Sequence, residues 1–128
     1  LEEIVISTLN FYNIYSKRSQ GETGVWLEPN SPNSRKICAI GVKTSRWVTM
    51  HGFALNVNTD LSYYDYIIPC GIEGKGITSI DKEIEGNISL NEVKKKLLEN
   101  LKKIFDANLV FGVWKTVDNH VLFFWTHN

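Results

Sequence analysis

The chain has 128 residues, of which 43% are hydrophobic and 22% are charged, a composition typical of a globular domain with an apolar core. Lys+Arg and Asp+Glu number 14 each, so no net charge favours nucleic acid or an anionic membrane surface. No apolar run approaches the roughly 20 residues of a membrane span, and no signal-peptide pattern opens the sequence. We therefore expect neither nucleic acid nor a membrane as a partner.

The first residue, the lack of repeats and the cysteine count lead to three further expectations. The chain begins at Leu1 and its only methionine is Met50, which indicates a piece of a longer polypeptide. Residues 1–128 show no internal repeat or linker, and this pattern predicts a single domain. Cys38 and Cys70 are too few for a disulfide framework and favour a reducing compartment.

The first half of the chain predicts one helix and three strands. Residues 1–15 form the helix, because apolar side chains recur at helical spacing along one stripe: Leu1, Ile4, Val5, Thr8, Leu9 and Tyr12. Residues 16–24 are polar and turn-rich. Residues 24–28 and 35–44 predict two strands of a hairpin, joined by the turn "PNSPNS", and residues 48–58 predict a third strand.

The middle of the chain predicts two short elements. Residues 59–67, "TDLSYYDYI", form a short helix with Thr59 or Asp60 as its N-cap. Residues 76–80, "GITSI", form a short strand.

The clearest element is a helix over residues 89–108, which begins at a capping box of Ser89 and Glu92. Its lysines fall largely on a solvated face. The opposite face is continuous and apolar: Val93, Leu97, Leu98, Leu101, Ile104 and Phe105. Two strand-like runs around the turn "VDNH" (117–120) close the chain. Together these elements predict an α/β (α+β) fold with a mostly antiparallel sheet flanked by helices.

Cys70 lies in the stretch "YYDYIIPCGIEGKG", between Pro69 and Gly71. Pro69 fixes the backbone before the cysteine, and Gly71 permits a sharp turn after it. A loop cysteine of this kind can present its sulfur while neighbouring backbone N–H groups face a developing oxyanion. The alternative is the usual role of a free cysteine, a small buried hydrophobic residue.

A cysteine nucleophile needs activation at neutral pH, because a free thiol has a pKa of about 8.5. The candidate activators are His51, in a predicted strand, and Lys36, at the start of another. His120 and His127 lie in the peripheral tail. Each candidate also has an ordinary explanation, as a half-buried histidine or a strand-edge lysine. The pattern of residues does not choose between a Cys–His and a Cys–Lys pair.

Other site patterns are absent from the sequence. The glycines and the lysine of residues 71–76 lack the spacing of a phosphate-binding loop. The cysteines and histidines show no metal-ligand spacing. We therefore expect no metal and no cofactor.

Three stretches resemble the C-terminal half of the lipoyl(octanoyl) transferases: "TGVW", "RKICAIGVKTSRWVTMHGFALNVNTDLSYYDYIIPCGI" and "GKGITS". The similarity covers about residues 1–105 and is densest over 23–80, whereas the tail 106–128 matches nothing in that family. The resemblance implies the fold of the biotin and lipoate protein ligase catalytic domains. It also implies that residues 1–128 are the C-terminal part of a larger catalytic domain.

The resemblance implies a role for each matching position. Cys70 is the nucleophile that takes octanoyl from octanoyl-acyl carrier protein as a thioester, and Lys36 is the partner that lowers the pKa of the thiol and accepts a proton. The acceptor is a lysine on lipoyl domains of 2-oxoacid dehydrogenase complexes or on the glycine cleavage H protein. The substrate-contacting backbone maps onto two short strand segments: Ala39, Ile40, Gly41, Gly52, Phe53 and Ala54.

The sequence also departs from the family. Members carry an arginine-glycine-glycine segment followed by Thr-Tyr-His-Gly-Pro-Gly, which supplies much of the other pocket wall, and this chain has no such segment. A non-catalytic fragment or binding module is therefore one alternative. An ATP-dependent lipoate–protein ligase is another, although the "PCG" motif and the missing phosphate loop speak against it. We expect the bacterial cytoplasm as the compartment, with an organelle matrix as the alternative.

Overall fold

The computed structural model of the protein describes residues 1–46, 48–62, 75–106, 116–117, 120–122 and 125–126. In these ranges eight strands join in one sheet, accompanied by three helices. The strands are β1 (Lys17–Ser19), β2 (Glu22–Leu27), β3 (Arg35–Ser45), β4 (Val48–Asn56), β5 (Gly76–Ile77), β6 (Thr116–Val117), β7 (His120–Leu122) and β8 (Trp125–Thr126). The helices are α1 (Glu2–Phe11), α2 (Ile80–Ile84) and α3 (Leu90–Phe105).

β3 is paired along both of its edges. On one edge it is antiparallel to β2, where Lys36 lies opposite Trp26. On the other edge residues 38–45 pair antiparallel with 48–55 of β4. On this same edge β5 pairs with the start of β3 and runs parallel to it, so that Ile77 also lies opposite Lys36. Three separate parts of the chain therefore meet at Lys36.

The C-terminal strands extend the sheet beyond β4. β7 and β8 pair with successive stretches of β4, and β6 pairs with β7. In the β6–β7 pair Val117 lies opposite His120, and residues 118–119 of the predicted turn lie outside the described residues. The mostly antiparallel sheet with flanking helices is confirmed, and among the described strands β3–β5 is the parallel exception.

Buried apolar side chains of α1, the sheet and α3 form one cluster. Burying such side chains gives about 25 cal/mol per Å² of apolar surface and is the main favourable contribution to folding. The cluster contains Ile4, Val5, Leu9, Ile14, Val25, Leu27, Ile37, Cys38, Phe53, Leu55, Val57, Ile80, Ile88, Val93, Leu97 and Leu101. A side-chain contact also joins the two long helices, since Asn100 donates to the hydroxyl of Thr8 at 2.9 Å.

The predicted apolar stripe of α3 is only partly buried. Val93, Leu97 and Leu101 are buried, whereas Ile104 and Phe105 are 40% and 49% exposed. Their positions explain this exposure: at 100° per residue Phe105 lies at the margin of the apolar stripe, and Ile104 lies in the last turn of the helix.

Both long helices are shorter than predicted, because residues in the left-handed region follow their last turns. α1 stops at Phe11 rather than at residue 15, and Asn13 has a φ of +58°. α3 stops at Phe105 rather than at 108, and Asp106 has a φ of +48°. Asn and Asp tolerate this conformation better than most residues. None of the helices in the described ranges is long and apolar enough to cross a bilayer.

The predicted capping box is wrong in its side-chain contacts. Ser89 is the N-cap of α3, but its side chain makes no capping hydrogen bond. Instead the first turn is closed by the backbone, where the N–H of Glu92 donates to the carbonyl of Ser89 at 3.0 Å.

Two short elements were not predicted. β1 lies in the stretch 16–24, where an edge strand with polar side chains carries no apolar alternation. α2 begins at Ile80, so the predicted strand 76–80 is reduced to β5.

The predicted helix over 59–67 lies partly outside the described residues. Of the two candidate caps, Asp60 accepts a hydrogen bond from the N–H of Ser62 at 3.0 Å. Residues 59–61 are not helical, and residues 63–67 lie outside the described ranges.

Arg35 connects β3 with α2 through charged hydrogen bonds. Its guanidinium donates to both carboxylate oxygens of Glu83 and to Glu28, each at 2.7 Å, and the hydroxyl of Thr78 also donates to Glu83. The hydrogen bonds from Arg35 hold the pKa of Glu83 below its ordinary value. The ionised carboxylate therefore stabilises the fold at pH values above the pKa of about 4.3 in the unfolded chain. This contribution is lost as the pH falls through the lower pKa of the folded state.

Replacing Glu83 by Gln should lower the free energy of unfolding at pH 7 by about 1–3 kcal/mol, because Arg35 loses a charge-assisted partner in a half-buried site. The difference between Glu83→Gln and the unchanged protein should shrink as the pH is lowered from about 5 to about 2. Urea unfolding at a series of pH values measures this.

The matched control is Glu99→Gln, which removes the exposed Lys96–Glu99 pair and should change stability at pH 7 by less than about 0.5 kcal/mol. A pH-independent effect of Glu83→Gln would contradict the assignment of the effect to its charge.

Candidate active site

Lys36 lies on β3 with its ammonium group against an aromatic ring. Its Nζ is 4.5 Å from the centroid of Trp26, the residue opposite it on β2. An ammonium group within about 6 Å of an indole centroid is attracted by the negative face of the ring. The predicted proton acceptor is therefore held by a side chain of the neighbouring strand.

Lys75 shares the same ring. Its Nζ lies 5.0 Å from the Trp26 centroid and 2.6 Å from each carboxylate oxygen of Glu22 on β2. The hydroxyl of Ser19 donates to the same carboxylate at 2.6 Å. These hydrogen bonds, first that of Lys75, lower the pKa of Glu22, and the charge of Lys36 contributes in the same direction. One carboxylate thus offsets part of the repulsion between two nearby cations.

Trp26 itself is buried to 1% exposure but does not belong to the apolar core cluster. Val25 and Leu27 on either side of it do belong to that cluster, so the alternation of β2 directs Trp26 to the other face of the sheet. Among the described residues its indole N–H has no hydrogen-bond partner. A buried donor of this kind costs roughly 1–3 kcal/mol, so stability alone does not explain an indole here.

Gly24 permits the close approach of β2 and β3. Its φ is +123°, and a Cβ at this position would lie 2.5 Å from the carbonyl oxygen of Cys38 and 3.5 Å from Cε of Lys36. Its N–H donates to the carboxylate of Glu2 on α1 at 3.0 Å. A side chain at position 24 would push on both the backbone of β3 and the stem of Lys36.

The six residues predicted to contact substrate lie opposite one another across β3 and β4. The register pairs Ala39 with Ala54, Ile40 with Phe53, and Gly41 with Gly52. Phe53 is buried, whereas Ala39 and Gly41 are exposed. The rung formed by the two glycines carries no side chains, and a Cβ on Gly41 would meet nothing within 4 Å. The alanines and glycines of this strand pair therefore carry little side-chain bulk on the strand that also carries Lys36.

Of the two cysteines, Cys38 can be assigned a structural role. It is 1% exposed, and burial raises the pKa of its thiol far above the ordinary value, so it is neither accessible nor readily ionised. Cys70, the predicted nucleophile, lies outside the described residues, as does the side chain of His51. No group of three or more potential metal ligands occurs in the part of the chain that the structure describes.

Sequence reasoning missed the set of residues around Lys36. The "TGVW" motif contains Trp26, but a tryptophan in a strand usually indicates core or rim, and the cross-strand register is needed to place it over Lys36. Glu22 and Lys75 are 53 residues apart, and no local pattern relates them.

Comparisons with known proteins agree on one family. A family model described as "Lipoyl protein ligase A/B catalytic domain" matches residues 1–102. The octanoyltransferase of Christiangramia forsetii is 58% identical over 112 residues, which are 87% of this chain and 48% of that protein. The octanoyltransferase of Flavobacterium johnsoniae is 57% identical over 111 residues, which are 86% of this chain and 48% of that protein. The octanoyltransferase of Bacteroides thetaiotaomicron is 54% identical over 97 residues, which are 76% of this chain and 43% of that protein. The chain spans about half the length of these relatives.

Replacing Gly24 by Ala should lower the free energy of unfolding by about 2–4 kcal/mol, because the new methyl group meets a backbone carbonyl and the φ is unfavourable for alanine. Urea unfolding measures the change.

Gly41→Ala is the matched control, since the site is open and the φ is not in the left-handed region. It should change stability by less than about 1 kcal/mol. Equal losses in the two variants would contradict the close approach at Gly24.

Proposed function

Because the family model matches residues 1–102, the chain belongs to the lipoyl protein ligase A/B catalytic domain family, and we propose that the protein that contains it is an octanoyltransferase. Relatives at 51–58% identity carry that name. The observation that carries the proposal is the position of Lys36, at the head of the strand whose residues 39–41 oppose 52–54 of β4. A proton-accepting group and a pair of strands with small residues on the same sheet suit the transfer of an acyl chain.

Cys70 is the proposed nucleophile, and chain connectivity supports its pairing with Lys36. Lys75 follows Cys70 by five residues and is adjacent to β5, which pairs with β3 beside Lys36. Because five residues span at most about 18 Å, the chain length between positions 70 and 75 is short enough to allow this pairing. Cys38, the other cysteine of the chain, is buried.

In the first half-reaction the sulfur of Cys70 attacks the carbonyl carbon of an octanoyl thioester. A C–S bond to Cys70 forms as the C–S bond to the donor breaks, and the donor leaves as a thiol after taking up a proton from the ammonium group of Lys36, which becomes neutral. The positive charge of Lys36 favours the attacking thiolate.

In the second half-reaction the ε-amine of the acceptor lysine attacks acyl-Cys70. A C–N bond forms and the C–S bond breaks. The amine loses a proton, which the neutral Lys36 accepts, and the sulfur of Cys70 leaves as the thiolate beside the restored ammonium group. Two successive acyl transfers through one enzyme thiol predict ping-pong kinetics.

The proposed donor is octanoyl-acyl carrier protein, and the proposed acceptors are lipoyl domains of 2-oxoacid dehydrogenase complexes and the glycine cleavage H protein. We place the reaction in the bacterial cytoplasm, where reducing conditions preserve a free thiol. A thioester donor is already activated, so the transfer needs no ATP. Because the chain spans half of its relatives, these assignments refer to the full-length protein.

Incubation of the full-length protein with octanoyl-acyl carrier protein should add the mass of one octanoyl group to the peptide that contains Cys70, as measured by intact and peptide mass spectrometry. The adduct should form without ATP, because the donor supplies the activated acyl group. Cys70→Ser should form no thioester and should lose transfer to the acceptor.

Cys38→Ala is the control variant, and it should still acquire the octanoyl mass, because the buried thiol takes no part in the reaction. Normal acceptor octanoylation by Cys70→Ser would refute the thioester mechanism. A strict requirement for ATP would instead favour a lipoate–protein ligase.

Replacing Lys36 by Met should slow acyl transfer to the acceptor by about 10²–10⁴-fold, because the acceptor amine loses its proton acceptor. Single-turnover mixing of pre-acylated enzyme with a lipoyl domain measures the second half-reaction alone. Lys43→Met, on the same strand, should leave the rate within about twofold. If Lys36→Met and Lys43→Met transfer at the same rate, Lys36 is not the proton acceptor.

A further inference from the structure

We propose that Trp26, supported by Glu22 and Lys75, is a positioning residue that fixes the ammonium group of Lys36, the proposed partner of Cys70. These four described residues, Glu22, Trp26, Lys36 and Lys75, are called the Trp26 junction below. The inference rests on the proposed function, because it takes Cys70 and Lys36 as the reacting pair.

A single indole contacts both lysines of the junction. The Nζ atoms of Lys36 and Lys75 lie 4.5 and 5.0 Å from the centroid of Trp26. A lysine side chain has four flexible carbon–carbon bonds, and holding its end in one place needs a specific partner. The ring supplies one through attraction to its π-face, and Gly24 lets the stem of Lys36 lie close to β2.

Lys75 connects the junction to the segment that carries Cys70. It is the first described residue after 63–74, and both oxygens of Glu22 bind its ammonium group. Directly after it, the N–H of Gly76 donates to the carbonyl of Ser34 at 2.9 Å. The side chain and the backbone therefore fix Lys75 and Gly76, which follow the segment that carries Cys70 in sequence, beside β2 and β3.

Glu22 makes the junction electrostatically possible. Two ammonium groups on one ring repel each other, and the carboxylate that binds Lys75 reduces this repulsion. Ser19 orients the carboxylate by donating to one of its oxygens. Without Glu22, the repulsion between the two cations would favour the movement of one of them away from the ring.

The choice of tryptophan fits this role better than a packing role. Trp26 lies outside the apolar core cluster, and its buried N–H has no partner among the described residues. A phenylalanine would fill the position without an unpaired donor, but an indole attracts cations more strongly than a benzene ring does. Compared with phenylalanine, tryptophan therefore binds the two ammonium groups better and packs less favourably at position 26.

The test measures the reactivity of Cys70 and the octanoyl transfer rate in the full-length protein. Alkylation of Cys70 by iodoacetamide, followed by peptide mass spectrometry, reports the thiolate that a nearby ammonium favours. Lys36→Met should slow this alkylation by about tenfold. Trp26→Leu and Glu22→Gln should slow it by about three- to tenfold, whereas Trp26→Phe, which keeps an aromatic face, should stay within about threefold of the unchanged protein.

Steady-state kinetics separate positioning from general destabilisation. Trp26→Leu and Glu22→Gln should lower kcat by about three- to thirtyfold with KM for octanoyl-acyl carrier protein within about twofold, because donor binding is untouched. Both replacements remove the indole and leave an apolar side chain. A higher kcat in Trp26→Phe than in Trp26→Leu would therefore show that the aromatic face itself contributes.

The chain offers a matched control at its surface. Lys96 lies 4.1 Å from the ring centroid of Phe11 and 2.8 Å from Glu99, the same combination of aromatic ring, lysine and glutamate at a distance from Lys36 in sequence. Phe11→Leu and Glu99→Gln should leave alkylation of Cys70 and kcat within about twofold.

Each outcome supports or overturns the inference. If Lys36→Met slows alkylation but Trp26→Leu and Glu22→Gln do not, the dyad stands and the junction is overturned. If Lys36→Met leaves the alkylation rate of Cys70 unchanged, the dyad of the proposed function fails and the junction fails with it. If alkylation of Cys70 follows the expected order but no octanoyl is transferred, the junction is supported and the substrate assignment is wrong.

Discussion

The pairing of β3 along both edges is the constraint on which the rest of the structure depends. β2 on one edge and β4 followed by β5 on the other satisfy its backbone hydrogen bonds. Because these neighbours come from distant parts of the chain, they bring Trp26 and Ile77 to the two sides of Lys36. The antiparallel pair with β4 fixes a register in which Gly41 opposes Gly52, and a shift of one residue would move every side chain to the other face. The same pairing that builds the sheet therefore arranges the candidate site.

Close packing at the head of β3 imposes an energetic cost that the local sequence accommodates. Gly24 adopts a φ that other residues avoid, and Trp26 buries a donor that has no partner in the part of the chain that the structure describes. Both features are unfavourable for stability when taken alone. Both lie against the side chain of Lys36, one at its stem and the other at its ammonium group. Local strain beside a proposed catalytic group is expected where position matters more than stability.

The elements that could be predicted from sequence are those with a strong hydrophobic period. The apolar stripe of α3 and the alternation of β3 place both elements correctly within a few residues. The failures have separate physical causes. β1 is a polar edge strand without alternation. The end of α1 depends on the left-handed conformation of Asn13, which the apolar pattern of the sequence does not reveal. The capping box failed because the backbone N–H of Glu92 found its acceptor in the carbonyl of Ser89, so the side-chain bond was not needed.

The candidate site could be predicted only as far as its residues belong to continuous motifs. Cys70 and Lys36 stand in such motifs, yet pattern alone left Lys36 and His51 as equal partners for the thiol. The contacts of Lys36 with Trp26 depend on a cross-strand register, and those of Lys75 with Glu22 join residues 53 positions apart. A cation–π contact produces no recognisable pattern in the sequence, because lysines are common on protein surfaces and tryptophans are common in protein cores. Groups that react can thus be read from a motif, whereas groups that hold them in position appear only when distant strands are brought into register.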